Sequence, residues 1–330
     1  MQNVYDYLFL CTKIRAMEGS LLDKERMERM VNARSDQEAF AVLTECGYGE
    51  FLDMSVETIN QVLEVGRQKT MDEVANAVPD AQIVDVFKLR YDYHNIKVLL
   101  KAEAMSQTPD TLLLDLGTIP AKVLETKVRT NDLNVLPYIL RTAIAEAQDT
   151  LNTTRDPQLC DFVLDRAYFE HMTLMAKECE SEFLKGYVRI LIDTANLRTA
   201  IRTLRMGKNP EFLRDIIFPD GNISEARVLA AAVTSTSLSD LFSLSLLKKA
   251  AIEGAEAVAG ARLTQFEKLC DDAIMTYLDP ARYVPVGEAP VIAYLAARES
   301  ELVAISIILT GRLSGIAPET IQERLRESYV

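Results

Sequence analysis

The stretch RYDYHNIKVLLKAEAMSQTP, residues 90–109, recurs twice more in weakening copies. The second copy is LIDTANLRTAIRTLRMGKNP, residues 191–210, and the third is AARESELVAISIILTGRLSG, residues 296–315. Asp92 is matched by Asp193 and then by Arg298. Met105 is matched by Met206 and Gly311, and Pro109 by Pro210. The windows align without internal gaps. Self-similarity at a long, nearly fixed period marks repeated structural units. Three are expected, at 1–112, 113–216 and 217–330.

The spacing within the first copy predicts a helix. Val84, Phe87, Tyr91 and Val98 form one apolar stripe, and Leu89, Tyr93, Ile96 and Leu100 form another. A helix apolar on two sides is mostly buried. Lys88, Asp92 and Asn95 fall on one face of it, at i, i+4 and i+7. Arg189, Asp193 and Asn196 reproduce that face in the second copy. Lys88–Asp92 and Arg189–Asp193 are therefore expected as i, i+4 ion pairs. In a crowded setting the Asp and Asn side chains also need hydrogen-bond partners. They are read as ties from each helix to the next segment or the next repeat, with a ligand site as the alternative reading. The third copy carries Tyr294, Arg298 and Glu301 at these positions. Chemistry that drifts while spacing holds argues for a structural role and against a threefold catalytic site.

Outward from the hallmark helices the rest of the chain also reads as all-α. YDYLFLCTKIRAMEGSLL is a helix with Tyr7, Leu10, Ile14 and Met17 on one face, broken at Gly19 and Ser20. KERMERMVNA is a short helix. Ser35-Asp36-Gln37-Glu38 has the form of a capping box opening another helix, and residues 55–77 form a long one. Gly117-Thr118-Ile119-Pro120 and Gly221-Asn222-Ile223-Ser224 echo Gly19-Ser20-Leu21-Leu22 and restart the second and third units. Polar breaks follow at 130–132 and 235–237. The pattern then runs to a long helix opening at Asp156-Pro157, with Pro at a helix start, and to another over 263–278. Pro280, Pro285 and Pro290 are expected to interrupt the third unit before its hallmark helix. No strand alternation appears, and Gly and Pro gather at the breaks.

Composition removes several function classes. The 330 residues carry 36 Lys+Arg against 49 Asp+Glu, a net charge of −13. That balance makes nucleic acid an unfavourable partner and leaves a basic protein partner compatible. Cys11, Cys46, Cys160, Cys179 and Cys270 are scattered, with no CxxC, which suits a reducing cytosol and offers neither a disulfide framework nor a zinc site. The N-terminus has no secretory pattern, because Asp6, Lys13 and Arg15 interrupt it. Apolar runs such as LVAISIIL fall short of the ~20 residues of a membrane span. His94 and His171 have no HExxH companion and read as packing or surface histidines. Gly207-Lys208 fails as a P-loop, since Arg202 stands where Gly is needed and Asn209 where Ser or Thr would hold the metal ion. Asp271-Asp272 lacks a third carboxylate one turn on and reads as a solvated helix face. No catalytic residue, cofactor site or metal site is assigned.

Four stretches in order carry a resemblance: YLFLCTKIRAMEGSLL, LRYDYHNIKVLLKA, DTANLRTAIR and PVIAYLAARESELVAISIILTGRLSG. The chain resembles the C subunit of V/A-type rotary ATPases, the counterpart of the eukaryotic V-ATPase subunit d, over essentially its whole length. The resemblance implies a funnel of three similar helical domains about a pseudo-threefold axis. It implies a non-catalytic rotor subunit of the central stalk, peripheral on the cytoplasmic face of a membrane. Its expected partners are the rotor shaft subunits, received in a central cavity, and the membrane proteolipid ring on which it sits. The resemblance also implies a part in proton or sodium transport, with no nucleotide bound by this chain. The alternative reading is a free-standing helical-repeat adaptor that holds a peptide or helix in its groove.

Overall fold

A computed structural model of the chain describes residues 4–49, 55–105, 107–109, 112–208 and 210–330. Every regular element among them is helical. After a 3-10 turn, residues 1–112 hold α1 (Leu8–Glu18), α2 (Lys24–Val31), α3 (Asp36–Glu45), α4 (Val56–Ala75) and α5 (Gln82–Ala104). Residues 113–216 hold α6 (Ala121–Arg129), α7 (Tyr138–Thr154), α8 (Pro157–Glu178) and α9 (Glu182–Arg205). Then come α10 (Glu225–Ala231), α11 (Ser235–Leu241), α12 (Lys248–Val258), α13 (Leu263–Leu278), α14 (Glu288–Leu313) and α15 (Pro318–Arg324). The three hallmark stretches lie on α5, α9 and α14.

Short polar side chains set many of the helix starts. The first amides of a helix have no partner inside it, and an N-cap oxygen supplies one. Asp23 accepts from the Arg26 amide, Ser55 from Thr58, Asp156 from Gln158 and Thr234 from Ser237. Ser35 accepts from the Glu38 amide, while the Glu38 carboxylate accepts from Arg34 rather than from Ser35 itself. The expected capping box is thus displaced by one residue on its return arm.

Two compact units emerge. One comprises residues 1–79, 200–207 and 231–330, and the other residues 80–199 and 208–230. The first is built on α14, which packs against α1, α2, α3, α4 and α15. Leu302, Ile305, Ile308 and Leu309 of α14 join Met30, Phe40, Leu43, Ile59 and Ile321 in one core. Each such side chain contributes about 1.5–3 kcal/mol on burial. The second unit is built on α5, which packs against α6, α7 and α8, and its Phe87 stacks on Tyr187 of α9 at 5.6 Å. Both stripes expected on α5 are largely buried. Only Val98 among those eight residues stays partly exposed.

Four expectations need correction. The break at 235–237 is the first turn of α11, with Thr234 as its cap. α7 and α12 occupy stretches the pattern passed over. Pro290 lies inside the first turn of α14, where a missing amide hydrogen removes no helical bond. Asp271 and Asp272 are not a solvated face, because both hold the C-terminal segment. Arg326 donates to Asp271 at 2.8 Å, and the Glu327 amide donates to the buried Asp272 at 2.8 Å.

Candidate functional site

The Asp and Asn side chains of the repeated face are among the most deeply buried polar groups of the described residues. Asp92, Asn95 and Asn196 are fully buried, and Asp193 nearly so. Leaving such groups unbonded would cost about 1–3 kcal/mol apiece, so the neighbouring segment satisfies them. Asp92 accepts from the Thr118 amide at 3.1 Å, the Thr118 hydroxyl at 2.6 Å and the Ile119 amide at 3.1 Å. Asn95 donates to the Leu114 carbonyl at 2.8 Å and accepts from the Leu114 amide at 2.9 Å. The second copy repeats the arrangement. Asp193 accepts from the Asn222 amide at 3.2 Å, the Asn222 side-chain amide at 2.9 Å and the Ile223 amide at 3.1 Å. Asn196 exchanges both of its bonds with the Phe218 backbone at 2.8 Å.

Close approach requires glycine at the point of contact. A Cβ on Gly117 would stand 2.1 Å from Asp92 Oδ1, and one on Gly221 would stand 2.3 Å from Asp193 Oδ1. The echoed Gly117 and Gly221 of the restart segments therefore belong to the same device as the aspartates.

The third copy keeps the grip with different chemistry. Glu301, 5% exposed, accepts from the Leu22 amide at 2.8 Å and is bonded by Arg298. Arg298 also lies over the Tyr48 ring, its guanidinium carbon 4.5 Å from the centroid. Leu22 closes the segment Gly19-Ser20-Leu21-Leu22. The helix of each copy thus grips the restart segment that follows it, and the last helix grips the first.

The charged partners expected beside the aspartates do not serve them. Lys88 is partly buried on α5, and its charge acts on Asp85. Arg189 is exposed and lines a small cavity with residues of α8. Both aspartates take their bonds from backbone and neutral side chains instead. Burial pushes the Asp92 and Asp193 carboxyls above the ordinary carboxylate range, and their hydrogen bonds only partly counter it. Burial works against the charge on Arg298, but Glu301 and the neighbouring tyrosines raise its affinity for the proton.

Burial also pushes up the thiols of Cys11, Cys46 and Cys160, and that of Cys179 to about 12, so none is a poised thiolate. His171 is held below its usual range by burial and packs edge-on to Tyr93. His94 sits by the Leu112 carbonyl at 3.1 Å. Among the described residues no group of three His, Cys, Asp or Glu side chains is placed to hold a metal ion. None of the described helices is long and apolar enough to cross a membrane.

The class these features define is an all-helical protein whose buried polar side chains join one segment to another. The chain belongs to the ATP synthase (C/AC39) subunit family, whose model matches residues 10–324. It is 25% identical to the C subunit of the V-type sodium ATPase of Enterococcus hirae, over 98% of this chain and 99% of that one. It is 24% identical to the C subunit of the A-type ATP synthase of Methanocaldococcus jannaschii, over 97% and 86%. Against the C subunit of the V-type ATP synthase of Thermus thermophilus the identity is 23%, over 97% and 98%. The chain is therefore a subunit of a rotary ATPase and not an enzyme in its own right.

Proposed function

We propose that this chain is the rotor element that couples the central shaft of a V/A-type ATPase to the membrane proteolipid ring. The observation that carries the reading is the end-to-end match to C subunits of such machines, covering 98% of this chain and 99% of the Enterococcus protein. An adaptor merely sharing a repeat would match over a part. The three units at 1–112, 113–216 and 217–330 are proposed as like domains about a pseudo-threefold axis. The cyclic order of the grips supports this, since each hallmark helix holds the next restart segment and the last holds the first. In this reading the protein lies on the cytoplasmic face of the membrane, held there by its partners, and receives the end of the shaft. Torque transmission needs a body that does not shear between its segments. Buried grips at each junction supply that stiffness.

Affinity purification from native membranes tests the proposal. The expected companions are a Walker-motif ATPase subunit, the shaft subunits and proteolipids. Recovery of the chain alone, or with unrelated helical peptides, would sink the coupling role and favour the free adaptor.

A further inference from the structure

Of the three grips, the last has the fewest bonds and the longest reach. Asp92 and Asp193 each accept from two backbone amides and one side-chain donor of the segment they hold. Glu301 accepts from one backbone amide of its segment, that of Leu22. The glycine device is missing there too, since a Cβ on Gly19 would meet nothing nearer than the Ala16 carbonyl at 3.4 Å. Asp92 and Thr118 are 26 residues apart and Asp193 and Asn222 are 29, but Leu22 and Glu301 are 279 apart. The entropy lost on closing a loop grows with its length. The grip with the fewest bonds therefore closes the longest loop.

Residues 325–330 lie against that grip. They follow α15 without regular secondary structure, yet Leu325 and Tyr329 are buried, at 9% and 4% exposure. Two adjacent aspartates of α13 hold the segment. Asp271 accepts from the Arg326 side chain and Asp272 from the Glu327 amide, both at 2.8 Å. The Arg282 guanidinium carbon stands 5.4 Å from the centre of the Tyr329 ring, a cation–π spacing. Leu21, Leu22 and Glu301 share with Ser328, Tyr329 and Val330 a space of only about 10 Å³, at most the room for one water molecule. A hydrogen bond kept from bulk water is electrostatically stronger than one exposed to it. A segment with no helical bonds of its own, held by a handful of side chains, also opens at lower free energy than the helices beneath it.

The geometry points to residues 325–330 being a latch on the last-to-first grip. Docked, they keep the Glu301–Leu22 bond dry and closed. Released, they let this one grip open while the helices of the same unit stay folded. The latch acts whether or not the chain couples a shaft to a ring.

Native-state hydrogen exchange on the full chain tests this, read at two amides of the same unit. The Leu22 amide reports the grip, and the Ile305 amide, in the core of α14, reports unfolding of the unit. In the native chain Leu22 should exchange faster than Ile305. Truncating a buried aromatic ring removes more than one decade of an equilibrium constant, so Tyr329→Ala should speed Leu22 exchange about tenfold or more and leave Ile305 unmoved. Arg326→Gln, which spares the buried ring, should speed Leu22 several-fold, again without Ile305. Leu22 as slow in Tyr329→Ala as in the native chain overturns the latch. Equal acceleration of Leu22 and Ile305 also overturns it, because Tyr329 would then be ordinary core. If Tyr329→Ala does not fold, Arg326→Gln decides, and an unchanged Leu22 rate in that variant has the same consequence.

Discussion

At the scale of single residues the grips make two sharp demands. Asp193→Ala removes the acceptor for two backbone amides and a side-chain amide, and should destabilise the isolated chain by about 1–3 kcal/mol. Unchanged unfolding together with lost assembly would instead make these residues an interface. Gly117→Ala should be damaging because its methyl meets Asp92 Oδ1 at 2.1 Å. With Asp92→Ala in the same chain that clash is gone. Equilibrium unfolding of both single variants and the double should therefore show a coupling of about 0.5–3 kcal/mol, and strict additivity would contradict the geometry. The raised Asp92 and Asp193 carboxyls add a pH signature. An unfolded Asp titrates near ~3.9, so the folded chain holds these protons more tightly than the unfolded chain does. Compared with Asp92→Asn, the native chain should gain stability as pH falls from neutral through the raised folded value, levelling off near ~4. Denaturant midpoints at several pH values check this. An advantage that shrank on acidification would mean that hydrogen bonding, not burial, sets the titration.

At the scale of elements, the sequence was most legible where large side chains recur. α5, α13 and α14 carry Leu, Ile, Phe and Tyr at helical spacing, and α13 runs over the expected residues 263–278. The grip residues were legible as a repeated face, but their partners were not, because Leu114, Phe218 and Leu22 offer backbone groups that no motif records. α12 buries only small residues, Ala250, Ala251, Gly254 and Ala257. α7 buries Leu140, Ile144 and Leu151 beside Ala143 and Ala147, a helical spacing that is legible in the sequence. The small face of α12 gives a weak hydropathy period yet lets helices approach closely. Gly254 shows how closely, since a Cβ there would lie 2.9 Å from Ile201 and 3.1 Å from Phe266. Gly254→Ala should then cost about 1–3 kcal/mol by overpacking, despite the better helix propensity of Ala. A melting point above that of the native chain would show that the neighbouring helices can yield. The tail contacts of Asp271 and Asp272 were illegible for another reason. Their partners, Arg326 and Glu327, lie far along the chain with no periodic link to them.

At the scale of the whole molecule, the proposed coupling sets an acidic body against a rotating shaft. The chain carries −13, so its summed field is negative. A basic shaft end approaching it would be drawn from a distance. Such attraction raises the rate of encounter more than it tightens the finished complex. Specific contact must come from elsewhere. The proposed socket of three like units would not match an asymmetric coiled coil residue for residue, so in that proposal one or two of them should supply the fit. The third copy already differs from the others, with Arg298 and Glu301 where they carry Asp and Asn. The measurement is the association rate of the chain with purified shaft subunit across a salt series. Charges separated by more than the Debye length, ~10 Å at 0.1 M, are screened from one another. Steering therefore predicts an association rate that falls steeply between about 0.02 and 0.5 M salt, with dissociation changing far less. A flat association rate, with salt acting only on dissociation, would assign the negative charge to a solvated outer surface and leave shaft capture to short-range contacts alone.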